Sequence, residues 1–145
     1  MKNRICPVCA SLLVICYGLA AGMLTAATAQ AAEWSKVGGT HKFDRYVDMT
    51  TVGSTDQQAT LWTLRDYHVE RAIPRGAYRS VRIKRQYDCH EMKSRPLHVR
   101  YYQQPMGQGR VLYAAQATRA WSRVIPGSDD EREMKVACRA VKSTL

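Results

Sequence analysis

Residues 78–89 read Tyr78-Arg79-Ser80-Val81-Arg82-Ile83-Lys84-Arg85-Gln86-Tyr87-Asp88-Cys89. Val81, Ile83, Tyr87 and Cys89 alternate with Arg82, Lys84, Gln86 and Asp88, the two-residue period of a strand with one buried face. Cys89 therefore points inward. Near the other end, Met134, Ala137, Cys138 and Val141 recur at the three-and-four spacing of a helix whose apolar stripe also faces a core. Joining the two cysteines as a disulfide pins a C-terminal helix, Ser128 to Val141, onto an antiparallel sheet. The expected class is α+β: one sheet of about six strands with this helix packed on one face.

Two free thiols are the less favoured reading because of how the chain begins. Lys2 and Arg4 precede an apolar run from Val8 to Leu24, which closes on the small residues Ala26-Ala27-Thr28-Ala29-Gln30-Ala31-Ala32. A positive start, an apolar middle and a small-residue site describe a secretory signal peptide. Of the two competing sites, Ala27-Thr28-Ala29 and Ala29-Gln30-Ala31, the second leaves residues 1–31 as the leader and 32–145 as one exported domain. The leader removes Cys6, Cys9 and Cys16, so the mature chain keeps Cys89 and Cys138, an even pair in an oxidising compartment. Cys9 follows Val8 and Cys16 follows Ile15, so neither lies in a lipoprotein cleavage box, and no lipid anchor is expected. Lys2 and Arg4 are two of the 22 basic residues, so the mature chain carries 20 against 12 acidic ones, a formal charge of +8. Such a charge attracts acidic surfaces without naming one.

Working outward from residues 78–89, Glu33 to Gly39 reads as a short strand and turn, and His41 to Val52 as a strand ending in the turn-like Gly53-Ser54-Thr55-Asp56. Ala59 to Val69 is apolar on both parities, as for a central strand covered on two sides. Pro74 and Gly76 make Glu70 to Gly76 a loop. Beyond a turn at Glu91 to Ser94, Arg95 to Gln103 returns with Leu97, Val99 and Tyr101 on one face. Pro105 to Gly109 turns the chain into a further strand, Arg110 to Ala117.

At the helix start, Ser128 is placed to accept from free backbone amides as N-cap, and Glu131 to reach back and close a capping box. Asp129, Asp130, Glu131 and Glu133 set negative charge at the positive end of the helix dipole, while Lys135, Arg139 and Lys142 sit toward the other end. This acidic cluster reads as helix design and not as a metal site.

Trp121-Ser122-Arg123-Val124-Ile125-Pro126-Gly127-Ser128, the segment Leu61-Trp62-Thr63-Leu64-Arg65-Asp66-Tyr67, the triplet Tyr87-Asp88-Cys89 and the late Cys138 together resemble the surface-adhesin protein E family of Gram-negative bacteria. The resemblance covers nearly the whole mature chain. It implies an antiparallel sheet whose concave face holds a C-terminal helix through a disulfide. It also implies an adhesin that binds host extracellular-matrix and plasma proteins and can dimerise.

An enzyme is not expected. His41, His68, His90 and His98 show no ligand or triad spacing, and no phosphate loop, nucleophile elbow or paired-carboxylate motif is present. No cofactor or metal is implied. The outer side of the central hairpin is the expected binding surface: with Val81, Ile83, Leu97, Val99 and Tyr101 facing the helix, Arg82, Lys84, His98, Arg100 and Tyr102 share the opposite side. Such a face suits an acidic protein, a sulfated glycan or a lipid phosphate of the envelope or host matrix, and nucleic acid is not an expected partner of an exported protein. The alternative function is a soluble periplasmic accessory protein, dimeric through an exposed strand edge, with no host ligand. No integral membrane segment is expected after cleavage.

Overall fold

The alternation at residues 78–89 is realised in the shorter of two central strands, which ends one residue before Cys89. The structure is a computed structural model that describes residues 32–117 and 120–142. The expected leader lies outside the described residues. In chain order the elements are β1 (Trp34–Gly39), β2 (Phe43–Asp48), β3 (Gly53–Thr55), β4 (Gln58–Ile73), β5 (Gly76–Asp88), β6 (Lys93–Tyr102), β7 (Val111–Gln116), β8 (Ser122–Arg123) and α1 (Asp129–Lys142). The sheet runs in the order β1-β2-β4-β5-β6-β7, with β3 attached to β4 and β8 to β6. Every pairing is antiparallel. The helix lies over β1, β3, β4 and part of β5, and the Cys89–Cys138 disulfide ties it to the end of β5 across a sequence separation of 49.

Several local readings of the sequence need correction. The segment Glu70 to Gly76 is no loop: β4 continues to Ile73 and β5 begins at Gly76, so Pro74 and Arg75 alone make the turn. Its polar composition arises because the hairpin runs out beyond the core, past a register shift between Asp66 and Arg71. For the same reason the two-sided cover expected of Ala59 to Val69 stops short. Ala59, Leu61 and Leu64 are buried, whereas Val69 is 75% exposed. The strand expected over His41 to Val52 ends at Asp48, whose carboxylate accepts from the Thr50 amide at 3.1 Å and the Thr50 hydroxyl at 2.7 Å. Those bonds wind Met49–Thr51 into one 3-10 turn. Gly53 to Thr55 is a short strand and not a turn; the reversal falls at Asp56, with φ of 47°. Leu97 does not share the alternation of Val99 and Tyr101, because it is the extra residue between the pairs Lys84↔His98 and Arg85↔Pro96. At the helix start the Glu131 amide donates to Ser128 Oγ at 3.2 Å as expected, but the Glu131 carboxylate accepts from Gly127 and not from Ser128, at 2.9 Å.

Under the helix, Val47, Ala59, Leu61, Tyr87, Val124, Met134 and Ala137 form the main core. A second cluster, Tyr78, Val81, Ile83 and Leu112, lies on the part of the sheet beyond the helix. It is crossed by a row of rings in edge contact: Tyr67–Tyr78 at 5.5 Å, Tyr78–Tyr101 at 4.8 Å and Tyr101–Tyr113 at 5.6 Å between centroids.

The acidic start of α1 is also a docking device. Arg45 from β2 is buried and reaches Asp130 at 2.6 Å and Glu133 at 3.0 Å, with Asp129 at 3.5 Å. Arg85 from β5 approaches Asp130 at 3.6 Å and Glu133 at 3.7 Å. The Tyr87 hydroxyl donates to Glu133 at 3.0 Å. Burial holds the Glu133 carboxyl above the usual range in spite of Arg85 and Arg45. Burial opposes charge on Asp130 too, yet Arg85 and Arg45 outweigh it and keep that carboxyl below the usual range. The two therefore act with opposite sign. Asp130 contributes stability that is lost as pH falls through its folded value, whereas Glu133 contributes stability in acid that is lost as pH rises through its folded value. Between about pH 7 and pH 3, Asp130→Asn should flatten the acid-side fall of the urea midpoint, and Glu133→Gln should steepen it. The slope against pH, and not the height, carries the comparison.

Candidate binding face

On the side away from the helix, the pairs Lys84↔His98, Arg82↔Arg100 and Ser80↔Tyr102 put Arg82, Lys84, His98, Arg100 and Tyr102 on one face. The pairs Trp62↔Lys84 and Leu64↔Arg82 extend this open face onto β4, and Trp34↔Asp48 onto β1 and β2. The five residues singled out in the sequence are thus brought together, but they divide into two groups.

Arg82 and Tyr102 are built into the scaffold. The Arg82 guanidinium is sandwiched between Trp34 at 5.2 Å and Tyr102 at 5.0 Å, and its Nε is buried without a hydrogen-bond partner. It also lies against the backbone of Gly107, where a β-carbon would collide with it and where φ is +70°. That glycine belongs to a loop folded over the same end of the sheet. The Met106 amide donates to the Asp66 carboxylate at 2.9 Å and the Gly107 amide to Ser80 Oγ at 2.8 Å, while the Ser80 hydroxyl donates to the Gln104 carbonyl at 2.6 Å. Tyr102 is buried beneath this cover.

Lys84, His98 and Arg100 surround a tryptophan instead. His98 stacks on Trp62 with centroids 6.3 Å apart and planes 28° from parallel. Arg100, which is exposed, stands over the same ring at 5.5 Å. Beside them a cleft of about 300 Å³ is lined by Trp34, Asp48, Trp62, Arg82, Arg100 and Tyr102. The Asp48 carboxylate in that cleft accepts from the Thr50 amide and hydroxyl and from the Glu33 amide and forms no ion pair with Arg82 or Arg100. Among the described residues, Arg82, Lys84 and Arg100 form no ion pair, whereas Arg45 and Arg85 on the helix side are both paired. The open face therefore presents unneutralised cations around a flat apolar ring. Trp34 and Trp62 were not singled out in the sequence; the signal for Trp62 is its even numbering, which its register partner Lys84 shares.

His68 approaches Asp44 at 3.4 Å and His90 approaches Glu91 at 3.2 Å, both exposed pairs. Among the described residues no three His, Cys, Asp or Glu side chains cluster as a metal site would require. Nor is any helix among them long and apolar enough to cross a membrane.

The sequence pattern of surface-adhesin protein E matches residues 34–139, which spans the sheet, the open face and both cysteines. The chain belongs to the surface-adhesin protein E family. Haemophilus influenzae protein E has the same fold: its structure superposes with a TM-score of 0.58 at 13% identity, over 80% of this chain and 96% of that one. A selenomethionine form of that protein gives 0.58 over 80% and 98% of the two chains, and a second crystal form gives 0.53 over 78% and 99%, each at 13% identity. No curated protein matches this chain. At such identity the likeness fixes the architecture of the surface-adhesin protein E family, including a helix tethered to the sheet, and leaves the ligand to be argued from the side chains present here.

Proposed function

We propose that this adhesin-like protein is exported by a cleaved leader, residues 1–31, and that the domain from 32 to 145 binds an acidic partner through its open face. A sulfated glycan or an acidic matrix protein fits that chemistry. The reading is supported above all by Lys84, His98 and Arg100, which stand around Trp62 without a carboxylate to neutralise the two permanent cations. A flat ring flanked by cations offers a sugar or a peptide plane something to lie on, and its sulfate or carboxylate groups a charged hydrogen-bond partner. No lipid anchor is part of this proposal.

Retention on heparin tests it. Reversing Lys84 and Arg100 to Glu should weaken binding by about tenfold for each charge, as charged contacts of 1.5 kcal/mol or more imply. Arg82 and Tyr102 should be left in place, since they hold the covering loop and their loss would confuse binding with folding. Retention that survives both reversals would reject the open face as the binding surface.

A further inference from the structure

We propose that β7 takes up an extended acidic peptide from a partner protein as an added strand. This surface is separate from the open face and does not depend on it. β7 is the outer strand of the sheet and, among the described residues, pairs only with β6. The Ala117 amide donates inward to the Leu97 carbonyl at 2.8 Å. Along an antiparallel edge the direction alternates, so Ala115 and Tyr113 also bond inward, while the amides and carbonyls of Ala114 and Gln116 face outward. Natural edges are usually guarded by lysine, proline or an inward charge. Val111 to Gln116 carries no charged residue, and Val111 and Tyr113 are 45% and 39% exposed.

The helix-side surface next to this edge specifies what would be added. Tyr113 and Tyr101 stand between two clefts, one of about 450 Å³ that includes Arg65 and Arg85 and one of about 390 Å³ that includes Ile73 and Arg75. Arg75 lies over the Tyr113 ring at 6.0 Å and Arg65 over Phe43 at 5.7 Å. Neither has an ion-pair partner among the described residues, and no carboxylate lines either cleft. Alternate side chains of an added strand point to the same face about 7 Å apart. Those on this side would pass over Tyr113 and carry a carboxylate to Arg75, whereas Arg65, three strands in from the edge in the row Arg65↔Val81↔Tyr101↔Tyr113, lies out of reach. Backbone bonding would supply affinity, and Arg75 beside Tyr113 would supply selectivity for acidic side chains. A second copy of this chain is the poorer occupant. In a β7–β7 pair, Val111 to Gln116 of the second copy carries no acidic residue and so offers Arg75 no carboxylate.

The probe is a fluorescent peptide of about ten residues with alternating valine and glutamate, compared with a version carrying lysine for glutamate. The acidic peptide should bind the purified protein, slow hydrogen exchange at the Ala114 and Gln116 amides, and lose about tenfold in affinity to the exposed-site variant Arg75→Glu. Ala114→Pro removes an outward donor while sparing the inward bonds, so a variant that still folds should lose the peptide. Equal binding of the two peptides, no binding of either, or full binding by a folded Ala114→Pro variant would overturn the proposal. So would self-association in sedimentation that Ala114→Pro abolishes while the acidic peptide is ignored.

Discussion

Replacing Arg45 with methionine should lower unfolding stability by about 3–5 kcal/mol, the cost of removing one partner from a buried ionic network. Arg45 is the nearest cation to two carboxylates, at 2.6 Å from Asp130 and 3.0 Å from Glu133. Glu133 is 1% exposed and cannot turn to water when its partner goes. Arg85 remains, but at 3.6 and 3.7 Å it serves the same two carboxylates only loosely. Chemical unfolding in urea measures the loss. A companion variant with Arg45→Met, Arg85→Met, Asp130→Asn and Glu133→Gln should recover much of it, because neither a carboxylate nor the Arg85 cation is then left buried without its partner. A loss under about 1 kcal/mol from Arg45→Met alone would mean that the network behaves as a solvated surface pair.

The double variant Cys89→Ser with Cys138→Ser should lose about 2–4 kcal/mol, from release of the restraint on the intervening chain. The bond spans 49 residues, long enough for its loss to loosen the denatured ensemble considerably. It anchors the helix late, at Cys138, whereas Arg45 anchors it early, at Asp129, Asp130 and Glu133. Either clamp alone leaves one end of the helix free to lift. Thermal melting of oxidised parent and double variant checks this, and an unchanged midpoint would reject it.

Much of the architecture was legible because it rests on periodicity. Val81 and Ile83 alternate against Arg82 and Lys84, Ala137 and Met134 recur at helical spacing, and the family resemblance pointed to the same sheet, helix and disulfide that the structure shows. The misreadings fall where composition and position part company. Glu70 and Arg71 look like loop residues, yet they belong to a strand that has run past anything able to cover it. Arg45 and Arg85 have no role in the sequence reading, although Arg85 shares the inward parity of Ile83 and Tyr87, and both meet carboxylates that seemed already explained by the helix dipole. Charge on a strand reads as outward unless its opposite is known to lie above, and that opposite is about 88 positions away in the case of Arg45 and Glu133. The basic side of the hairpin was recognisable as a set. What separates Arg82 from Arg100 within it, a fold-over loop ending on Gly107, is tertiary information that alternation does not carry.

The loop at Gln103 to Arg110 and the whole of β6 and β7 lie between the two linked cysteines. A protease that nicks that loop therefore severs the backbone without parting the molecule: both fragments stay covalently joined, migrate as one band until a reductant is added, and keep the docked helix and the open edge on a single particle.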